Sequence, residues 1–153
     1  MGTELTAQTL TVTITEALAV DHANGTTNDI DFAQTYTHTY GSIANVSKRI
    51  IKLANTNLTE VATFGSDTQD GAFVRADVRY IRVTNLDSSD ALQVGLDDEA
   101  SDAGYTSVAA DSSIIFTGTT VEGDHGGSTL DNATALKVKG AANQQLEVMI
   151  ASV

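Results

Sequence analysis

Apolar and polar residues alternate strictly near the start of the chain, over residues 9–15 (TLTVTIT). Leu10, Val12 and Ile14 fall on one face of this segment, and threonines fall on the other. A period of two residues is typical of a half-buried β-strand. The pattern therefore predicts a first strand here, with Val20 as its furthest extent.

A second alternating segment covers residues 29–40 and has an aromatic face. It follows Asn24 and Gly25, a dipeptide that strongly favours a turn. The residues on its apolar face are Ile30, Phe32, Tyr36, His38 and Tyr40. We predict a second strand with aromatic rings along one side.

Shorter extended segments follow through the rest of the chain, and none of them has the period of a helix. They cover residues 48–54, 60–64, 73–84, 92–96, 105–109, 113–116, 135–139 and 145–151. Short strands joined by frequent turns favour two packed sheets, with a closed barrel as the alternative. The predicted fold class is all-β, an antiparallel β-sandwich or jelly roll of about 8–10 strands. We expect one domain over residues 1–153, with residues 1–8 as a candidate extended N-terminal arm.

A near-repeat links two parts of this predicted sandwich. Residues 79–95 and residues 49–65 both read Arg-x-Ile-basic-aliphatic-x-Asn, followed by a polar turn and a closing glycine. We interpret each copy as a β-hairpin. The stretch 73–95 then contains the second copy of a duplicated unit.

The first strand of that second copy changes its apolar face near Tyr80. Val78 and Tyr80 share one face, whereas Ile81 lies on the opposite one. Because side chains alternate with a period of two, such a change requires a β-bulge or a strand that bends from one sheet to the other. We therefore expect the two sheets to be joined at this place.

The composition supports a β-protein without covalent cross-links. The chain contains no cysteine and no proline. No disulfide or thiolate chemistry is possible, so packing and hydrogen bonds must hold the fold. Turns must be formed by Gly, Asn, Asp and Ser.

Charge and hydropathy narrow the range of partners. Eight basic and twenty acidic residues give a net charge of −12. Because nucleic-acid affinity depends on Lys and Arg neutralising phosphates, we expect no nucleic-acid partner. No apolar run reaches the roughly 20 residues of a membrane span, and the first residues lack a signal-peptide pattern, so we expect no membrane partner.

The aromatic stripe of Tyr36, His38 and Tyr40 is the first candidate ligand site. Aromatic rings offer flat amphipathic surfaces on which sugars can stack. The alternative is that these rings pack in the core around a histidine whose hydrogen bonds are satisfied.

The glycine-rich loop at residues 118–129 contains a second candidate, Asp124 and His125. A carboxylate beside an imidazole can contact a partner or a cation, and the alternative is a polar loop tip. The acidic stretch 97–102 has oxygen ligands that suit Ca²⁺ but lacks the ligand order of an EF-hand, so a solvated acidic turn is the alternative there. The three histidines do not have the spacing of metal ligands, and we predict no metal site and no cofactor.

Three common catalytic or nucleotide-binding motifs are missing from the sequence. There is no nucleophile elbow, no phosphate-binding loop and no dinucleotide fingerprint. The sequence therefore predicts no catalytic residues, and we expect that the chain is not an enzyme.

Three segments resemble small β-rich virion structural proteins of tailed bacteriophages. They are residues 80–96 (YIRVTNLDSSDALQVGL), 108–116 (VAADSSIIF) and 136–153 (LKVKGAANQQLEVMIASV). The resemblance implies a capsid decoration or cement protein, and it carries no functional residue across to this chain. The partners it implies are the major capsid protein and copies of the chain itself, which would form a homo-oligomer. The implied location is the outer capsid surface of the virion, after assembly in the host cytoplasm.

An acidic surface suits the outside of a capsid, since basic surface is expected on a DNA-facing interior. The segments that we expect to contact neighbouring subunits are residues 1–8 and 118–129. One alternative is a tail or fibre component with a carbohydrate- or receptor-binding role for Tyr36, His38 and Tyr40. Another is a non-viral β-sandwich interaction domain.

Overall fold

The computed structural model describes residues 8–20, 30–67, 71–98, 104–117 and 133–153. Contacts divide the chain into two compact units, Met1–Ile43 and Ala44–Val153. The sandwich is formed within the second unit, and the expectation of one domain over residues 1–153 stays a prediction. Of the predicted arm, only Gln8 lies within the described residues, and it begins a strand.

The first unit contains a two-stranded antiparallel sheet. Strand β1 (Gln8–Val20) pairs with β2 (Ile30–Ile43). In this register Ile14 lies opposite Tyr36, and Val12 lies opposite His38. Both strands were predicted from their alternating pattern, and β2 continues three residues beyond the predicted end at Tyr40. The Asn24-Gly25 turn lies outside the described residues.

The second unit consists of two sheets. The earlier strands are β3 (Asn45–Lys52), β4 (Thr59–Gly65), β5 (Phe73–Val74) and β6 (Val78–Asn85). They are followed by β7 (Leu92–Asp98), β8 (Thr106–Val108), β9 (Ser113–Thr117), β10 (Ala133–Lys139) and β11 (Gln145–Ser152). One sheet has the order β5-β4-β10-β7-β8, and the other has the order β3-β11-β6-β9.

The sheet pairing confirms the predicted all-β, antiparallel fold. Every strand pair in the second unit is antiparallel except β4 with the short β5. Each sheet ends in edge strands within the described residues, which is the arrangement of a sandwich rather than a closed barrel. No helix in the described part of the chain is long and apolar enough to cross a membrane.

The hairpin interpretation of the near-repeat is wrong. Strands β3 and β4 belong to different sheets, and so do β6 and β7. Each copy is therefore an arch that crosses from one sheet to the other. Residues 53–58 connect β3 with β4, and residues 86–91 connect β6 with β7. These connections are long enough to cover the roughly 10 Å between packed sheets. The two arches flank the central strands, with β3 and β6 beside β11 and with β4 and β7 beside β10.

The repeated asparagine forms the same kind of turn in both arches. The Asn55 Oδ1 accepts a hydrogen bond of 2.8 Å from the Asn57 backbone N–H, and the Asn85 Oδ1 accepts one of 3.1 Å from the Asp87 N–H. Such an Asx turn redirects the chain at the end of a strand. The repeat in the sequence therefore reports two equivalent crossings between the sheets.

The predicted change of face near Tyr80 is confirmed by a register shift in β6, but the predicted continuous strand over residues 73–84 is interrupted between β5 and β6. Strand β5 lies in the five-stranded sheet, and a short 3₁₀ turn, Arg75–Asp77, leads into β6 in the other sheet. The pairing of β6 with β11 then shifts register. Ala151 lies opposite Tyr80, whereas the next residue, Ser152, lies opposite Val78. The chain changes sheets at this point, as the pattern of the sequence predicts.

The hydrophobic core lies between the two sheets of the second unit. Central strand β10 contributes Leu136 and Val138, and central strand β11 contributes Val148 and Ile150. The other buried members of the cluster are Leu53, Val61, Ala62, Phe64, Val78, Ile81, Val83, Leu92, Val94, Val108, Ala133 and Leu146. Burial of such side chains is the main source of stability in a chain without disulfides.

Candidate interaction surfaces

The predicted aromatic stripe is divided between an exposed and a buried end. Tyr36, His38 and Tyr40 lie at alternate positions of β2 and so share one face. Tyr36 is 50% exposed, whereas Tyr40 is buried. The rings of His38 and Tyr40 are 4.4 Å apart and inclined at 60°. The structure therefore brings these two rings together and leaves the Tyr36 ring accessible.

Tyr36 has an apolar neighbour on the opposite strand. Ile14 lies directly across from it and is 44% exposed. Cross-strand pairs of an aromatic and a β-branched residue stabilise a sheet modestly, and here they also leave apolar surface in contact with water. This part of the hairpin can contact a flat ligand such as a sugar ring.

The second candidate, Asp124 and His125, lies outside the described residues. The acidic stretch 97–102 is described only as far as Asp98, at the end of β7. Asp97 forms an ion pair with Lys137 on the neighbouring strand β10. Among the described residues, no group of three His, Asp or Glu side chains could hold a metal ion.

A further surface, which the sequence analysis did not identify, lies on the four-stranded sheet. Its strands contain five of the eight basic residues of the chain and one of the twenty acidic residues. The basic residues are Lys48, Arg49, Lys52, Arg79 and Arg82, and the acidic residue is Glu147. This sheet is therefore locally positive in a strongly acidic protein.

The register decides which of these charges face outward. Leu146, Val148 and Ile150 of β11 point into the core, so Glu147 and Met149 point away from it. Lys48 and Arg82 lie on either side of Met149 and are therefore on the outer face. The same alternation places Val46, Ile50 and Lys52 there.

Glu147 is held between two cations. The Lys48 Nζ lies 3.2 Å from one carboxylate oxygen, and the Arg82 guanidinium contacts the other. Partial burial alone would raise the pKa of Glu147, but hydrogen bonds from Lys48 and Arg82 outweigh this effect and lower it below its ordinary value. Lys52 is also exposed, and no carboxylate on the strands of this sheet is left to neutralise it.

Strand β3 is an edge of this sheet and exposes apolar side chains. Val46 is 56% exposed and Ile50 is 64% exposed. They alternate with Lys48 and Lys52 along the same outer face. Edge strands are commonly protected by lysine, and exposed apolar residues between the lysines are the feature that favours an interaction with another chain.

A pocket of about 380 Å³ adjoins the beginning of β3. Its walls include Asn45, Val46 and Ser47 from β3 and Phe73, Val74 and Asp77 from the segment that changes sheets. Strand β5 is the edge of the five-stranded sheet, so the pocket lies where edge strands of both sheets approach each other. Its size is suitable for a side chain of another molecule.

Comparisons with protein-family profiles, with characterised proteins and with solved structures find no match to this chain. Its function is therefore inferred from its own surfaces. Its exposed surfaces in the described residues include the Tyr36 end of the hairpin and the outer face and edge of β3.

Proposed function

We propose that the chain is a structural protein of a phage virion, a capsid decoration or cement protein that stabilises the head by bridging major capsid subunits. The observation that carries the proposal is the edge strand β3, which presents alternating apolar and basic side chains on an otherwise acidic protein. A surface of this kind supports attachment to another protein chain.

The segments that resemble phage virion proteins support the proposal through their position in the fold. Residues 80–96 form the arch of β6 and β7, residues 108–116 extend from the end of β8 through most of β9, and residues 136–153 include most of β10 and all of β11. Each segment links the two sheets of the sandwich. The resemblance thus concerns the framework of the domain, while the attachment surface is a property of this chain.

Bridging would act through buried interface area and would require no chemical reaction. A stable protein interface buries about 1,200–2,000 Å² in total, with an apolar centre and a polar rim. Val46 and Ile50 supply apolar contacts on β3, and Lys48 and Lys52 supply polar ones. In this proposal the partners are the major capsid protein and copies of the chain itself, on the outer surface of the head.

The test uses heads assembled from the major capsid protein encoded in the same phage genome. Purified chain is mixed with these heads, which are then sedimented and imaged by electron cryomicroscopy. We expect saturable binding, regular density on the outer surface and greater resistance of the heads to heat. Absence of binding to heads, or density on the tail of whole virions, would contradict the proposal.

A second candidate function is favoured by the exposure of Tyr36. A tail or fibre protein that binds a carbohydrate or receptor needs an accessible aromatic ring, and the Tyr36 ring is half exposed beside Ile14. The burial of Tyr40 limits this site, because only one tyrosine of the stripe is available for stacking.

A further inference from the structure

We propose that the free edge of β3 is a docking site for an extended acidic segment of another protein, which adds to the four-stranded sheet as a fifth strand. Under the proposed function this segment would belong to a major capsid subunit, and to that extent the inference rests on that function. The recognition itself follows from the described residues of β3 and its pocket.

The position of β3 allows the addition of a strand. Among the strands that the structure describes, it pairs with β11 on one side and is the terminal strand of the sheet on the other. An extended peptide pairs with such an edge through main-chain hydrogen bonds, at a spacing of about 4.8 Å. Its alternate side chains would then lie beside the alternate side chains of β3.

The outer face of β3 specifies which side chains fit. Along this face Val46, Lys48, Ile50 and Lys52 follow one another at every second position. Favourable cross-strand pairs therefore require apolar, acidic, apolar and acidic side chains at every second position of the added strand. Whether the added strand is parallel or antiparallel, the alternation of the two types is the same.

The charge of β3 argues against pairing with the same strand of a second copy. A two-fold β3–β3 contact centred on Ile50 would place Lys48 of each chain opposite Lys52 of the other, and like charges across a strand pair are destabilising. A long polyanion is disfavoured for a different reason. The net charge of −12 would repel the parts of it that extend beyond this sheet.

The pocket beside Asn45 supplies a further contact. An added strand that passes the start of β3 would run over the pocket mouth, where one of its side chains could insert. Phe73, Val74 and Val46 favour an apolar group there, and Asp77 disfavours an acidic one. The inserted residue would fix the register of the added strand.

The test uses two synthetic peptides and the full chain. The first peptide repeats Val-Thr-Glu-Thr, and the second has lysine in place of each glutamate. We expect the acidic peptide to bind at least about tenfold more tightly than the basic one, because its glutamates lie beside Lys52, which has no carboxylate on the strands of this sheet, and beside Lys48. In NMR titrations we expect the largest amide shifts within Asn45–Lys52.

Matched variants separate charge on β3 from charge in general. The single change Lys52→Glu leaves the ion pairs of Glu147 intact, and the double change Lys48→Glu with Lys52→Glu removes both outer lysines. Both should weaken binding of the acidic peptide, the double variant by about tenfold or more. The control Lys139→Glu makes the same charge change at an exposed position of the five-stranded sheet and should leave binding unchanged.

Several outcomes would overturn the inference. These are equal binding of the two peptides, no binding of either, amide shifts centred on another edge strand, or an equal effect of Lys139→Glu. Self-association in sedimentation that is lost in Lys52→Glu would also overturn it, because the occupant would then be a second copy. Decoration of heads without peptide binding would leave the proposed function intact, whereas peptide binding at β3 without attachment to heads would contradict only that function.

Discussion

The Gln144 Nε2 donates a hydrogen bond of 3.0 Å to the Asn85 Oδ1, and both side chains are buried. The Asn85 Nδ2 in turn donates to the backbone carbonyls of Asp90, Val108 and Ala109. This polar cluster joins the turn after β6, the end of β8 and the turn before β11. Because its amide groups have partners, it ties three connections of the sandwich together without leaving a buried amide unpaired.

Removal of the Asn85 side chain should destabilise the fold strongly. Asn85→Ala removes one hydrogen-bond partner from the Gln144 amide and from each of three carbonyls, while the bond from the Gln144 Nε2 to the Asp90 carbonyl remains. We expect the free energy of unfolding to fall by about 2–4 kcal/mol. Urea denaturation measures this change. The control is Asn55→Ala at the equivalent place of the other arch, where the side chain is exposed and accepts one hydrogen bond from Asn57. That variant should lose about 0.5–1 kcal/mol, and equal losses in both would contradict the role of the cluster.

The glycine before this cluster leaves room for Gln144. A Cβ at Gly140 would lie 2.0 Å from the Gln144 Oε1 and 3.0 Å from the Leu53 Cδ1. Gly140→Ala should therefore displace Gln144 and cost about 1–3 kcal/mol in unfolding free energy. In a Gln144→Ala background the same change should cost less, by at least about 0.5 kcal/mol.

A double-mutant cycle in urea measures this coupling. Gly104→Ala is the control, because a Cβ there meets nothing within 4 Å, and it should be close to neutral. Strictly additive effects of Gly140→Ala and Gln144→Ala would show that Gly140 is not required for the position of Gln144.

Acid should weaken the sandwich partly through Glu147. Its pKa is lowered in the folded state, so the unfolded chain binds more protons in the range between the two pKa values. The contribution is complete above the ordinary pKa of 4.5 and is lost as the pH falls through the folded value. We therefore expect the stability difference between the native chain and Glu147→Gln to be largest near neutral pH and to shrink below about pH 4.5.

Urea midpoints measured from pH 7 to pH 3 test this expectation. Hydrogen bonds from the Asp90 and Ser89 backbone lower the pKa of Asp87 as well. Its contribution to the pH dependence is the same in both proteins and therefore cancels in the comparison. A difference that stays constant over the whole range would contradict the role assigned to Glu147.

The two candidate functions differ in what Tyr36 should do. If the hairpin binds sugars, Tyr36→Ala should abolish binding on a glycan array, because it removes the accessible ring. Tyr36→Phe is the control that keeps the ring and should retain stacking. If the chain is a capsid decoration protein, the native chain should give no saturable glycan signal, and Tyr36→Ala should bind heads as the native chain does.

Much of the fold could be predicted from the alternation of residue types. Strands were expected at residues 9–15 and 145–151, and the structure has β1 and β11 there. The change of face near Tyr80 was also predicted, because two periodic stretches of opposite phase meet at that residue. A period of two reports which side of a strand is apolar, and this information was sufficient for the fold class.

The same period does not report which strands pair. The two repeated units have the pattern of hairpins, yet each of them crosses between the sheets because β10 and β11, far along the chain, pair with their strands. The candidate surface on β3 was missed for the same reason. Its charges come from residues 48–52, 82 and 147, and they meet only through the pairing of β3 and β6 with β11. Tyr40 was placed correctly on the aromatic face, but its burial could not be inferred from the position alone.

The central place of β10 and β11 has a consequence for the order in which the sandwich forms. They come after the other described strands of the unit in the sequence, and each pairs with partners on both sides. Strands β3, β4, β6 and β7 therefore leave the ribosome before the partners that join them exist. Contacts over such long sequence separations make folding slow, and we expect the nascent chain to remain open to proteases and chaperones until its final strands emerge.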